Sequence, residues 1–152
     1  MDGSRAGLTY LIDSSIWLER MLEQERTGEV RDFLNRVPDH RLALTDFAFY
    51  SICLISLGAD AKETLETFIQ DTFVNGQVAR LSIAPGNVSQ VLTAMQRFGL
   101  DFDDGYQYVA AEQHDLDLVS FDEDFDDTER GRLTPEQVLQ RLDENQQLDD
   151  EK

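Results

Sequence analysis

Short apolar runs alternate along this chain with longer stretches in which apolar residues recur three and four positions apart. The first run, residues 8–12, has the length and composition of a buried strand, and Asp13-Ser14-Ser15 after it is a helix-start signal. From about Ser15 the pattern predicts a helix with Ile16, Leu18, Met21 and Leu22 on a broad apolar face and Trp17 beside it as a core residue. Gly28 is expected to break that helix, and residues 29–36 to form another turn or two with Val30, Phe33 and Leu34 inward. Residues 41–44 read as a second strand.

Thr45 and Asp46 can cap the most apolar helix of the chain, residues 47–57, with Gly58 at its end. Asp60-Ala61-Lys62-Glu63 has the form of a capping box with Asp60 as cap, opening a helix that runs to about Phe73. Residues 78–83 alternate enough for a third strand. Asn87 caps a helix bearing Val88, Val91, Leu92 and Met95 and closed by Gly99. Asp103 or Asp104 starts the next, with Tyr106, Val109 and Ala110 spaced for a buried face. Residues 116–121 form the fourth strand, and Thr134-Pro135-Glu136 opens a final helix. Strands alternating with helices imply an α/β chain: three layers, α/β/α, around a short central parallel sheet. There is no internal repeat and no linker, so residues 1–140 read as one domain, and residues 141–152 as an acidic tail expected to fray.

With 152 residues the chain can bury a sizeable core. No apolar run approaches a membrane span, and the first residues resemble no signal peptide, so a cytoplasmic protein is expected. Cys53 has no second cysteine to pair with and reads as a small buried residue. Charge changes the picture more. The net charge is −18, from 11 Arg and only 2 Lys against 19 Asp and 12 Glu. An acid-rich, Lys-poor surface suits concentrated salt, where a Debye length of about 3 Å at 1 M screens self-repulsion. An extremely halophilic source is the expectation, with an acidic interaction tail as the rival explanation. Residues 101–152 alone carry 18 acidic side chains against 4 basic ones.

Three acidic stretches stand at strand exits or a helix start: Ile12-Asp13-Ser14-Ser15, Asp103-Asp104-Gly105-Tyr106, and Ser120-Phe121-Asp122-Glu123-Asp124-Phe125. Singly, each has a bland reading: Asp13 as a helix cap, Asp104 as a first-turn acid, Asp122 and Asp124 as solvated loop charges. Together they would meet, because the carboxyl ends of neighbouring parallel strands converge on one crevice. Two carboxylates about 5 Å apart repel by roughly 3 kcal/mol at an effective dielectric of 20. A cluster therefore calls for protons or a hard divalent cation, and oxygen ligands with a metal-activated water are what phosphodiester hydrolysis by two metals needs. Other chemistries fit poorly. His40 and His114 are the only histidines, no nucleophile elbow, P-loop or dinucleotide fingerprint occurs, and a zinc site lacks ligands. A phosphoaspartate enzyme lacks a suitable lysine, since only Lys62 and Lys152 are present.

These three segments, in order and spacing from about residue 8 to residue 140, resemble the signatures of PIN domains, the family that includes the VapC toxin ribonucleases of toxin–antitoxin pairs. The resemblance implies a metal-dependent endoribonuclease using Mg²⁺ or Mn²⁺, with Asp13 as the central bridging carboxylate, Asp104 and Asp122 as further ligands, and Asp124 as ligand or support. Asp103 would be a weaker neighbour, and Ser15 or Ser120 would hydrogen-bond a carboxylate or water. The likeness further implies an RNA substrate, a homodimer and an antitoxin partner. Arg20, Arg26, Arg31, Arg36 and Arg41 lie in a less acidic stretch and read either as phosphate contacts or as scattered surface arginines of a salt-adapted protein. One element departs. The family usually supplies a glutamate on the helix after the second strand, where this chain has Ser51. Asp46, five residues earlier, lies about 140° around the helix and would reach the site only from the helix mouth. The alternative is therefore a catalytically weak or inactive PIN-fold interaction module.

Overall fold

A computed structural model describes residues 7–150; the start expected to lack a signal peptide and the last two residues of the expected tail lie outside them. The strands β1 (Tyr10–Ile12), β2 (Leu42–Thr45), β3 (Ala79–Leu81) and β4 (Asp117–Val119) form one sheet in the order β3-β2-β1-β4, every neighbouring pair parallel. Tyr10 faces Leu42 on one side and Asp117 on the other. The helices are α1 (Ser14–Met21), α2 (Thr27–Arg36), α3 (Asp46–Gly58), α4 (Lys62–Ile69), α5 (Val88–Phe98), α6 (Phe102–His114) and α7 (Pro135–Asp150). None is long and apolar enough to cross a membrane.

Strand residues divide between two cores by the two-residue period of the pleat. Tyr10, Ile12, Leu42, Leu44 and Val119 pack with Ile16, Trp17, Phe33, Ile52, Phe68 and Val138. On the other face Leu11, Ala43, Leu81 and Leu118 meet Val91, Ala94, Val109, Ala110 and Phe125. The three-layer expectation follows: α1–α4 and α7 contribute to one side, α5 and α6 to the other. The chain advances from β1 through β2 to β3, then returns to place β4 on the far side of β1. That reversal makes the carboxyl ends of β1 and β4 the switch point of the sheet, where ligand crevices open.

Several local expectations change for physical reasons. Gly28 lies inside α2, and the break falls earlier, in the turn after Met21 where Glu23 adopts φ 49°. A buried carboxylate fixes that turn: Glu19 accepts the Arg26 N–H at 2.6 Å. Asp60 caps nothing; it takes φ 57° just beyond α3, and Ala61 stands at the start of α4. Asp is among the few residues that tolerate that conformation. Asn87 makes no capping bond either, because a 3₁₀ turn, Pro85–Asn87, leads into α5. The helix expected to reach Phe73 widens into a π turn at Gln70–Val74, after which a Cβ on Gly76 would sit 2.4 Å from the Asp71 carbonyl oxygen. Thr134 and Gln137 exchange reciprocal side-chain-to-backbone bonds of 3.2 and 2.9 Å, a capping box at the head of α7. Where a frayed tail was expected over residues 141–152, α7 continues to Asp150 with its last side chains exposed. Once its first turns are packed, each further residue adds a hydrogen bond without a new nucleus.

Thr45 behaves as expected: fully buried, it accepts the Ala48 N–H at 3.0 Å and starts α3 at the sheet edge. Thr45→Val keeps the shape and strands that N–H, so urea denaturation should show a loss of about 1–2 kcal/mol.

Candidate metal centre

Asp13 follows β1 and stands at the N-cap position of α1, yet its carboxylate does not cap the helix. It turns into the sheet end, almost fully buried, and collects donors from three elements. Oδ1 accepts from Gln107 Nε2 at 2.5 Å and from Ser14 Oγ at 3.4 Å. Oδ2 accepts from Ser120 Oγ at 2.6 Å and from Ser15 Oγ at 3.0 Å. A carboxylate offers about four lone-pair sites, so these donors nearly saturate it. Ser120 also accepts the Asp122 N–H at 2.9 Å and thereby ties the exit of β4 to the exit of β1.

Beyond β4 the chain turns through a 3₁₀ segment, Glu123–Asp127, capped by Asp122, whose Oδ1 accepts the Asp124 N–H at 2.9 Å. Arg132 pins this loop by pairing with Asp126 at 3.0 Å and donating to the Ser120 carbonyl at 3.1 Å. From the other side, Asp101 caps α6 by accepting the Asp104 N–H at 2.9 Å. Asp104 is buried in the first turn of that helix, and its carboxylate meets those of Asp122 and Asp124, one oxygen of each lying within 4.8 Å of the others.

Electrostatics reports the same convergence. Burial, then the charges of Asp122, Asp101 and Asp13, push Asp104 up to about 8, and a hydrogen bond with the Asp122 side chain adds to the rise. Asp103 is raised to about 6 by burial and then by Asp13, Asp101 and Asp122. Asp124, at the surface, is raised chiefly by the charge of Asp122. These residues fit a hard divalent cation: every donor is oxygen, and two oxygens across such an ion lie about 4–5 Å apart. Asp103 Oδ1 is buried without a partner, as a site short of a positive charge would leave it.

Of the residues singled out from sequence, Asp104, Asp122 and Asp124 form the compact group. Asp13 and Asp103 adjoin it electrostatically, and Ser15 and Ser120 both serve Asp13. Asp46 lies apart: its Oδ1 accepts from the Phe47 N–H and from Tyr106 Oη, each at 2.8 Å. It is not among the charges acting on Asp103 or Asp104. Gln107 is the residue that sequence reasoning missed. It is fully buried, and its Oε1 has no partner while its amide group binds Asp13. Its one signal was position: three residues after Asp104, it shares the face of α6 that looks into the site.

The PIN domain model matches residues 10–131. Among curated proteins none matches the chain by sequence. Among solved structures, the sarcin–ricin-loop-cleaving toxin VapC20 of Mycobacterium tuberculosis superposes with a TM-score of 0.72 at 12% identity, covering 84% of this chain and 100% of that one. A toxin–antitoxin complex from Klebsiella pneumoniae gives 0.66 at 15%, covering 84% and 98%. FitAcB from Neisseria gonorrhoeae gives 0.61 at 17%, again covering 84% and 98%.

The raised carboxyls set a direction for pH. Asp103 and Asp104 hold protons more tightly in the folded chain than in the unfolded one, where 3.8 is the ordinary value. Their stabilising contribution is full below that value and lost as pH rises through about 6 and about 8. Without metal, the melting temperature should therefore fall across that window, and Asp104→Asn should raise it at the alkaline end and flatten the slope; calorimetry in chelator reads both.

Proposed function

On the premise that this chain belongs to the PIN-domain family, we propose that it is a metal-dependent endoribonuclease hydrolysing RNA phosphodiester bonds, the toxin of a toxin–antitoxin pair. The observation that carries this reading is the convergence of Asp104, Asp122 and Asp124 at the sheet's switch point, with Asp13 held beside them. Asp104, Asp122 and Asp124 would hold Mg²⁺ or Mn²⁺, with Asp13, its lone pairs largely taken by its donors, as the neighbouring charge beside the ion. When bound, the ion supplies a water of lowered pKa and stabilises charge on the leaving oxygen. The chain's own residues do the rest. Gln107, Ser15 and Ser120 orient the Asp13 carboxylate, and Asp101 and Ser120 fix the backbones that present Asp104 and Asp122. Asp103 and Asp104 are carboxyls able to hold a proton near neutral pH and release it as positive charge enters the site.

The partner proposals rest on surface chemistry and on the structures this fold resembles. Tyr50, Leu54 and Leu57 are 55%, 72% and 55% exposed and recur at helical spacing on α3. Such an uncovered stripe suits a homodimer contact. An antitoxin partner is suggested by the toxin–antitoxin complex among the similar folds. The acid-rich, Lys-poor composition supports a halophilic setting. One observation favours a second reading, a weak or inactive PIN-fold regulatory module: Ser51 stands where the family's glutamate would be, and Asp46 is engaged by Tyr106.

Incubation of the purified protein with RNA and Mn²⁺, at low and at multimolar salt, tests the proposal. Cleavage that drops at least about 100-fold in Asp122→Asn is expected. Intact RNA under every condition, with Mn²⁺ binding retained, would favour the regulatory module instead.

A further inference from the structure

The five arginines of the N-terminal third meet different fates. Arg36 pairs with Asp143 at 2.9 Å, and Arg41 donates to Thr9 Oγ1 at 3.0 Å while lying 6.0 Å over the Tyr10 ring. Arg20 lines a separate groove with Trp17 and Phe68, to which none of the clustered aspartates contributes, and Arg31 is exposed on α2. Arg26 alone comes beside the candidate metal centre. Its guanidinium stacks 4.5 Å over the ring of Phe121, the residue immediately before Asp122, and no carboxylate pairs with it among the described residues. The Phe121 N–H reaches Ser15 Oγ at 3.4 Å, and that hydroxyl donates to Asp13.

Two further features show that this placement is built. Only three carboxylates are buried among the described residues: Asp13 and Asp104 at the site, and Glu19. Glu19 spends its charge on the turn that carries Arg26, accepting the Arg26 N–H at 2.6 Å while its carbonyl accepts Thr27 Oγ1 at 2.7 Å. Ser15, Arg26 and Phe121 also share the wall of one open cavity of 630 Å³, which Glu19 and Glu25 line as well.

We propose that Arg26, oriented by Phe121 and by the Glu19-anchored turn, forms a phosphate subsite for the RNA strand next to the scissile position. This rests on the nuclease reading above and adds where the flanking backbone lies: over the α1–α2 turn. The chemistry suits the role, because a planar guanidinium pairs with phosphate oxygens through two parallel N–H donors while one face stays on an aromatic ring. The surroundings make it necessary. In a chain of net charge −18, a polyanion approaching six nearby aspartates gains little from the general field, so a single well-placed cation counts.

The test uses the full chain and a short single-stranded RNA of mixed sequence, with binding read by anisotropy in Ca²⁺ across a salt series and cleavage read in Mn²⁺. Arg26→Ala should weaken binding about tenfold and flatten the salt slope by about 0.7, the share of one phosphate contact on a single strand. Arg26→Lys should keep the slope and recover part of the affinity, a pattern that a merely structural role would not produce. Arg31→Ala, equally exposed, is the control and should change neither. If the wild type cleaves RNA and Arg26→Ala matches Arg31→Ala, the subsite is overturned while the nuclease reading stands. If the wild type binds RNA without cutting it and Arg26→Ala still loses affinity and slope, the nuclease reading falls and only the phosphate contact at Arg26 stands, with no scissile position beside it. If the wild type neither binds nor cuts RNA, both are overturned.

Discussion

Carboxylates forced together away from water set the terms for this molecule. Asp13 and Asp104 are each about one-twentieth exposed, and Asp101, Asp103, Asp122 and Asp124 crowd the same end of the sheet. The fold tolerates this by two devices. Asp13 is surrounded by hydrogen-bond donors on both oxygens, which leave its buried lone pairs satisfied. Asp104 has no such shell, and burial and repulsion raise it until a proton or a cation must share its place. A carboxyl so disposed costs the folded chain stability once it ionises.

The rest of the architecture serves that arrangement. β1 and β4 are short, central to the switch point, and joined beyond their ends by Ser120, which links Asp13 to the Asp122 backbone. The α6 helix brings Asp104 and Gln107 in from the opposite core, and Gly105 lets it approach α5 so closely that a Cβ would lie 3.0 Å from Met95 Cγ. On the near side, Glu19 is the third buried carboxylate, and the turn it holds carries Arg26 onto Phe121. Acid at the centre and the Arg26 guanidinium at its margin give this end of the sheet a defined polarity.

What could be read from the residues, and what could not, divides along a physical line. The parallel α/β layering was legible because strand residues such as Leu11 and Ile12 serve opposite cores while the helices keep their own period. The acidic positions were legible because strand exits are where such sheets gather side chains. Contacts made through tertiary space were not. Gln107 looks like any polar helical residue until Asp13 is folded against it. Glu19 looks like a surface acid, yet its burial moves a helix boundary away from Gly28. Asp60 and Asn87 carry the right chemistry for caps, but Asp60 turns left-handed and leaves Ala61 at the head of α4, and Asn87 holds the N-cap position of α5 without making a capping bond.

A crystal grown or soaked with Mn²⁺ and measured at the manganese absorption edge tests the central claim most directly. The account predicts an anomalous peak in contact with Asp104, Asp122 and Asp124 on the side facing Asp13. A map with no peak there at saturating Mn²⁺, or with the ion held only by acids elsewhere on this heavily charged surface, would contradict it.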